Sequence, residues 1–296
     1  MRILLIGADG QLGRALNAAC APAHEVVQAA YETPSVGHLL VDLGDPRTVL
    51  AALCEAKPDL VLLAGAFTHV DLCETQRERC RRVNVVGPET VGSWAAGQGA
   101  RVVFYSTDLV FDGARECCSE RDAIHPLNYY AQCKAEAERR LQELLPNGHL
   151  ILRTAWLYGP DPARKNFALR LVQRLQAEED VVIPSDQWGT PTYTEDLAQA
   201  TLHLVERGAS GLFHAVGPEY LDRCALARRI CDRFGLHPRH LIPRSTQELG
   251  QAAPRPLRVR LDCGKLQATG CPPFRNLEDG LKALQAWHVS SRRGSR

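Results

Sequence analysis

Tyr130 and Lys134 stand four residues apart in the string YAQCK, so on a helix their side chains share one face. A phenol beside an ammonium is a proton donor whose pKa the cation lowers. Tyr-x-x-x-Lys also occurs on ordinary solvated helices, so the company it keeps matters. Upstream lie a Gly-rich turn, GADGQLG, and an apolar run that ends in STDLVFDG. Thr107, in that second string, falls at a strand end, where parallel sheets present their ligands. Its hydroxyl suits a bond to a carbonyl under reduction, or equally a turn bond to its own backbone. The three strings in this order point to hydride transfer.

The Gly turn carries its own chemistry. Gly7, Gly10 and Gly13 follow an apolar run and precede a helical pattern. Such a turn lets backbone approach a pyrophosphate, whose charge a helix N-terminus stabilises. Ribose selectivity is set near the end of the second strand, where this chain has Ala29, Ala30 and Tyr31, with Glu32 only afterwards. The missing acid permits NADPH, and Arg14 beside the turn favours it, while Glu32 leaves NADH open. Asp42, in VDLGD, is placed either to accept a bond from an adenine amino group or to sit at a helix N-terminus. Asn84, inside a predicted helix, either holds a water or a backbone carbonyl near Lys134 or lies on the helix surface. Asp108 and Asp112 suit turns or caps.

These residues need a scaffold, and the hydrophobic pattern supplies one. Strands are predicted at 3–6, 25–29, 60–64, 101–106 and 149–153, alternating with helices at 12–20, 47–55, 83–97 and 129–145. Apolar strands alternating with amphipathic helices define an α/β fold, a Rossmann-type doubly wound parallel sheet. After Thr154 the pattern loosens into Gly- and Pro-rich loops, with helices near 167–177 and 195–206. The expected organisation is a dinucleotide-binding domain over residues 1–153, with 187–208 returning to it. Segments 154–186 and 209–287 would form a smaller interleaved α/β substrate domain, and 288–296, which includes SSRRGSR, a flexible tail.

Composition narrows the classes. The 296 residues carry a formal net charge of +1, so nothing marks a nucleic-acid or membrane partner. Eleven cysteines, with no CxxC pair, suit reduced thiols in a cytoplasmic protein rather than a disulfide framework. The ten histidines are dispersed and no HExxH occurs, so no metal is expected. The N-terminal apolar run is too short for a signal peptide or a membrane span.

The strings GADGQLG, LAGAFTHVD, STDLVFDG, PLNYYAQCK, LRTAWLYG, NFALRL, DQWGTPTY and RPLRVRLDCGKL follow one another from Met1 to about Ala286. In this order they resemble the extended short-chain dehydrogenases/reductases, and within them the dTDP-4-dehydrorhamnose reductases. The resemblance implies a catalytic trio of Thr107, Tyr130 and Lys134, with Tyr130 protonating a sugar ketone and Lys134 holding the nicotinamide ribose. It implies cofactor contacts from Gly7, Gly10, Gln11, Leu12, Gly13, Asp42, Leu43, Ala64, Gly65 and Ala66, as well as Tyr130 and Lys134. It places Thr107, Asp108, Trp156, Asn166 and Arg255 around a nucleotide-sugar substrate, Arg255 as a bidentate partner for diphosphate. Trp156 also suits core packing, and Arg255 a surface ion pair. Two departures count. Leu109 stands where related 4,6-dehydratases carry a glutamate, and Ala15 where some reductases carry the glutamate of a magnesium-bridged dimer. The expectation is a monomer or homodimer without metal. A second reading stays open: the regulatory beta subunit of methionine adenosyltransferase is similar to this family and keeps the Tyr and Lys. LDCGKL and Phe213-His214 lean toward that subunit; Thr107, Trp156 and DQWGTPT lean toward a reductase.

Overall fold

Each apolar run predicted as a strand is a strand, and together they form one parallel sheet. The computed structural model describes residues 1–31 and 37–293. Strands β1 (Arg2–Ile6), β2 (Glu25–Ala30), β3 (Leu39–Leu40), β4 (Leu60–Leu63), β5 (Arg101–Thr107) and β6 (His149–Thr154) join the edge strand Gly211–His214. The order across the sheet is Gly211–His214, β6, β5, β4, β1, β2, β3, every pair parallel. The chain leaves β1 toward β2 on one side and returns through β4 on the other. The C-terminal ends of β1 and β4 therefore flank the switch point where open sheets bind ligands.

Side-chain alternation explains why the runs are apolar throughout. Ile3 and Leu5 face the helices Gln11–Cys20 and Thr194–Glu206, packing with Leu12, Leu16, Leu197 and Leu204. Leu4 and Ile6 face the other way, against Val49, Leu53, Val91 and Leu141 of the helices Pro46–Ala56, Gly87–Gln98 and Tyr129–Leu144. A sheet covered on both faces needs apolar residues at every strand position. Ala15, at the place of the dimer-bridging glutamate, packs against the first of these clusters.

A smaller cluster closes around Leu169, Val172, Ile183, Leu226, Ile230 and Leu281. Three two-stranded pairings tie it together: Val181–Pro184 with Leu241–Arg244, Leu157–Tyr158 with Thr192–Tyr193, and Trp188–Gly189 with Leu221–Asp222.

Two expectations about organisation are corrected. Gly211–His214, expected in the smaller domain, is the edge of the large sheet, because its backbone pairs in register with Leu150–Arg153 of β6. The segment expected as a tail from residue 288 instead continues the helix Leu277–Arg293, whose buried Leu281 and Leu284 anchor it; residues 294–296 lie outside the described part. All eleven cysteines are free thiols. Among the described residues no helix is long and apolar enough to cross a membrane, and no group of three or more His, Cys, Asp or Glu is placed to hold a metal.

Candidate active site

The turn between β1 and the helix Gln11–Cys20 opens into a cavity of about 1230 Å³, and Gly7, Gly10, Gln11, Leu12 and Gly13 all line it. Gly7 sits at φ +88, and a Cβ there would lie 2.5 Å from the Gly65 nitrogen, so glycine alone fits. Gly10 caps the helix without any side-chain bond, and the first turn holds no acid. The leading amides are thus left for an anion, which fits a dinucleotide pyrophosphate. Leu43, Ala64, Gly65 and Ala66 line the same cavity beside the ends of β3 and β4.

Asp42 also lines it, but its Oδ1 accepts the Gly44 N–H at 2.7 Å, and Asp45 rather than Asp42 caps the next helix. Arg14, the expected selector for a 2′-phosphate, is not among the lining residues; its Nε donates to the Asp9 carbonyl at 3.1 Å. Tyr31 lines the cavity, and Glu32 lies outside the described residues.

Tyr130 and Lys134 enter the cavity from the helix Tyr129–Leu144. Asn128 starts that helix by accepting the Ala131 N–H at 2.9 Å, and its Nδ2 donates to the Pro254 carbonyl at 2.9 Å. One residue thus sets both the helix start and the position of the loop carrying Arg255. Asn84 proves to be a clamp rather than a surface residue. Buried within the π-helical turn Arg82–Val86, it accepts from the Phe67 N–H at 3.0 Å and donates to the Phe67 carbonyl at 2.9 Å. It thereby holds the loop after β4 against the cavity.

The electrostatics of the pair differ from the sequence expectation. Burial drives the Tyr130 phenol well above its ordinary value, with Cys73 and Asp108 adding to the effect. Burial likewise pushes Lys134 down to about 7, against the opposing pull of Glu138. The ammonium therefore does not lower the phenol here. Both groups are desolvated, and Glu138, the nearby counter-charge, is committed to Arg153 at 2.6 Å. Lys134 rests 3.8 Å from the Phe104 ring centroid.

Thr107 lines the cavity and performs its turn role at once. Its Oγ1 accepts from the Leu109 N–H at 3.2 Å and donates to Asp108 Oδ1 at 3.1 Å. Asp108, also in the lining, is raised to about 6 by burial. Trp156 lines the cavity too and sits at φ +40, a backbone region costly for a bulky side chain. Gly189, from DQWGTPTY, abuts its indole so closely that a Cβ would lie 2.4 Å from Trp156 Cε2. Gly189→Ala should therefore displace the indole, cost on the order of 1–3 kcal/mol of stability and raise KM for the second ligand; thermal unfolding with steady-state kinetics checks this.

Arg255 lines the cavity, yet its guanidinium is held bidentately by Asp71 at 2.7 and 3.0 Å. Asn166 is corrected outright: it is not in the lining. Its Oδ1 caps the helix Phe167–Gln176 and its Nδ2 bonds the Gly159 carbonyl at 3.0 Å and Gln11 at 3.2 Å. The sequence reading missed Ser106 and Thr154, cavity residues whose buried hydroxyls have no partner among the described residues. Each lies at the C-terminal end of a central strand, the one signal that marks them. It also missed Arg223 in the same lining, and it set the DQWGTPT loop over the sugar without singling out Gln187 and Trp188, which line the cavity too.

The arrangement joins a glycine turn with open helix amides, a buried phenol and lysine, and aromatic and cationic side chains in one lining. The dTDP-4-dehydrorhamnose reductase of Escherichia coli (strain K12) is 32% identical over 297 residues, covering 96% of this chain and 97% of that one. The structure of dTDP-4-dehydrorhamnose reductase from Bacillus anthracis str. Ames, in complex with NADP, superposes with a TM-score of 0.86 at 28% identity, covering 96% of this chain and 98% of that one. Methionine adenosyltransferase 2 subunit beta of Danio rerio is 30% identical over 297 residues, covering 96% of this chain and 91% of that one. The match to the family described as RmlD substrate binding domain spans residues 1–288, and by it this chain belongs to that family.

Proposed function

We propose that this chain reduces the 4-keto group of a nucleotide-linked 6-deoxy sugar with NADPH, dTDP-4-dehydrorhamnose to dTDP-rhamnose being the favoured conversion. One observation carries the reading: the glycine cradle and the buried Tyr130 and Lys134 line one continuous cavity. The relatives support it, two of them bearing that enzyme's name and one of these holding NADP.

Gly7, Gly10, Gln11, Leu12 and Gly13 would hold the pyrophosphate, and Ala64, Gly65 and Ala66 would pass beneath the cofactor. When bound, a reduced nicotinamide supplies hydride to the carbonyl carbon. Tyr130 donates its phenolic proton to the carbonyl oxygen, and a phenol raised by burial keeps that proton across neutral pH. Thr107 redirects its hydroxyl from Asp108 to the same oxygen, and Lys134 holds the nicotinamide ribose. Leu109 leaves the site without the adjacent carboxylate that a dehydratase would use as acid and base.

The regulatory reading has in its favour the 30% identity to the Danio rerio beta subunit, beside the LDCGKL string and Phe213-His214. A single assay separates the two. Purified protein given NADPH and dTDP-4-dehydrorhamnose should consume NADPH, with NADH run in parallel. No turnover with this or any other 4-keto sugar nucleotide sinks the reductase reading and leaves a cofactor-binding subunit.

A further inference from the structure

Arg223 has more donors than partners. It is the first residue of the helix Arg223–Phe234, whose N-cap is Asp222. Its backbone N–H bonds the Gln187 carbonyl at 3.0 Å, and Asp222 pairs with Trp188, which brings it against the DQWGTPTY loop. Its guanidinium carbon lies 3.4 Å from the Trp156 ring centroid and 4.8 Å from that of Phe167. Stacking occupies a face of the guanidinium and leaves its in-plane N–H edges available. None of those N–H groups makes a hydrogen bond or ion pair among the described residues.

Apart from the aromatic rings and the field of Asp108, little in this place favours a cation. A helix N-terminus repels positive charge. Burial lowers Arg223 to about 9, and neighbouring Arg255 and Arg170 push the same way, against Asp108. Arg255 has Asp71 to neutralise it, and Arg223 has no such carboxylate. An uncompensated guanidinium in a cavity wall is matched by an anion that arrives with a ligand.

We propose that Arg223, rather than Arg255, is the cation that binds the diphosphate of the nucleotide sugar, with Trp156 holding its guanidinium flat. This rests on the reading of the cavity as a nucleotide-sugar site. The sugar ring of a 4-keto-6-deoxy substrate is neutral, so its anionic part is the diphosphate. The planar fork suits phosphate oxygens in bidentate fashion. The cofactor's own pyrophosphate has the glycine turn and the uncapped helix Gln11–Cys20 instead.

The test is calorimetric titration of dTDP, thymidine and NADPH into the whole protein, wild type against Arg223→Met and Arg223→Lys. Wild type should bind dTDP far more tightly than thymidine. Arg223→Met should weaken dTDP on the order of tenfold or more and leave thymidine and NADPH within about twofold. Arg223→Lys, which keeps the charge without the fork, should lose less; it carries the test if the Met variant does not fold. Unchanged dTDP binding in both variants overturns the proposal. So does a loss confined to NADPH, which would assign Arg223 to the cofactor, and so does wild type binding dTDP no better than thymidine. Turnover is read separately. A wild type that reduces no keto sugar, yet loses dTDP on Arg223→Met, defeats the reductase reading and upholds this one.

Discussion

Tyr130→Phe should lower kcat on the order of a hundredfold or more while leaving NADPH binding nearly intact. The substitution removes one oxygen and keeps the ring, which is buried with Cys73, Cys80, Val85 and Cys133. The phenol has no hydrogen-bond partner among the described residues, so its loss orphans no group and the fold should hold. What disappears is the proton for the carbonyl oxygen at the moment negative charge develops there. Thr107 remains to donate a hydrogen bond, which stabilises that charge without neutralising it. The loss should therefore appear in kcat and kcat/KM together, the mark of an interaction made in the transition state. Loss of NADPH absorbance gives the rates, and fluorescence titration of NADPH gives the binding. Turnover unchanged in Tyr130→Phe would remove the phenol from the mechanism.

The fold was legible because its signals are local. Ile3–Ile6 followed at once by Gly7 announces a strand and a ligand turn, and each later apolar run before a helical pattern repeats the message. The spacing of Tyr130 and Lys134 placed both in the cavity. It was silent on their burial, and burial reverses the expected electrostatics. Asn166 shows a different failure. An Asn directly before FALRL is an N-cap signal, and here the local signal defeats the assignment carried by resemblance. Arg223 was illegible for a third reason. Within LDRCALARR it reads as an ordinary exposed helix start. Only the pairing of Asp222 with Trp188 and the Gln187 bond, both long-range, carry it to the cavity. Gly211–His214 was missed similarly, since a four-residue strand is defined by its neighbour β6 more than by its own composition.

Lys134→Met should weaken NADPH binding on the order of tenfold or more, since a charge-assisted bond to the ribose is lost. It should also stabilise the cofactor-free protein in a pH-dependent way. Lys134 titrates near 7 in the folded chain and near its ordinary 10.5 in the unfolded one. Between these values the unfolded chain binds one proton more than the folded chain, so this lysine makes stability rise with pH across that window. Below pH 7 both states are protonated, and the folded protein bears the full cost of a buried ammonium, on the order of a few kcal/mol. Methionine keeps most of the apolar stem and removes the charge. The variant should thus exceed wild type in stability by the widest margin near pH 6, and the margin should close toward pH 10. Cys80 and Cys133 interact electrostatically with Lys134, so taking the difference between the two proteins cancels only the thiols remote from it. Denaturant unfolding at several pH values, without and with NADPH, checks both parts. The cofactor should restore a partner to the ammonium, so NADPH stabilises wild type more than Lys134→Met. A stability difference that does not vary with pH would mean that Lys134 stays charged in the folded chain. The pair would then be poised as its spacing alone suggests, with the ammonium lowering the phenol.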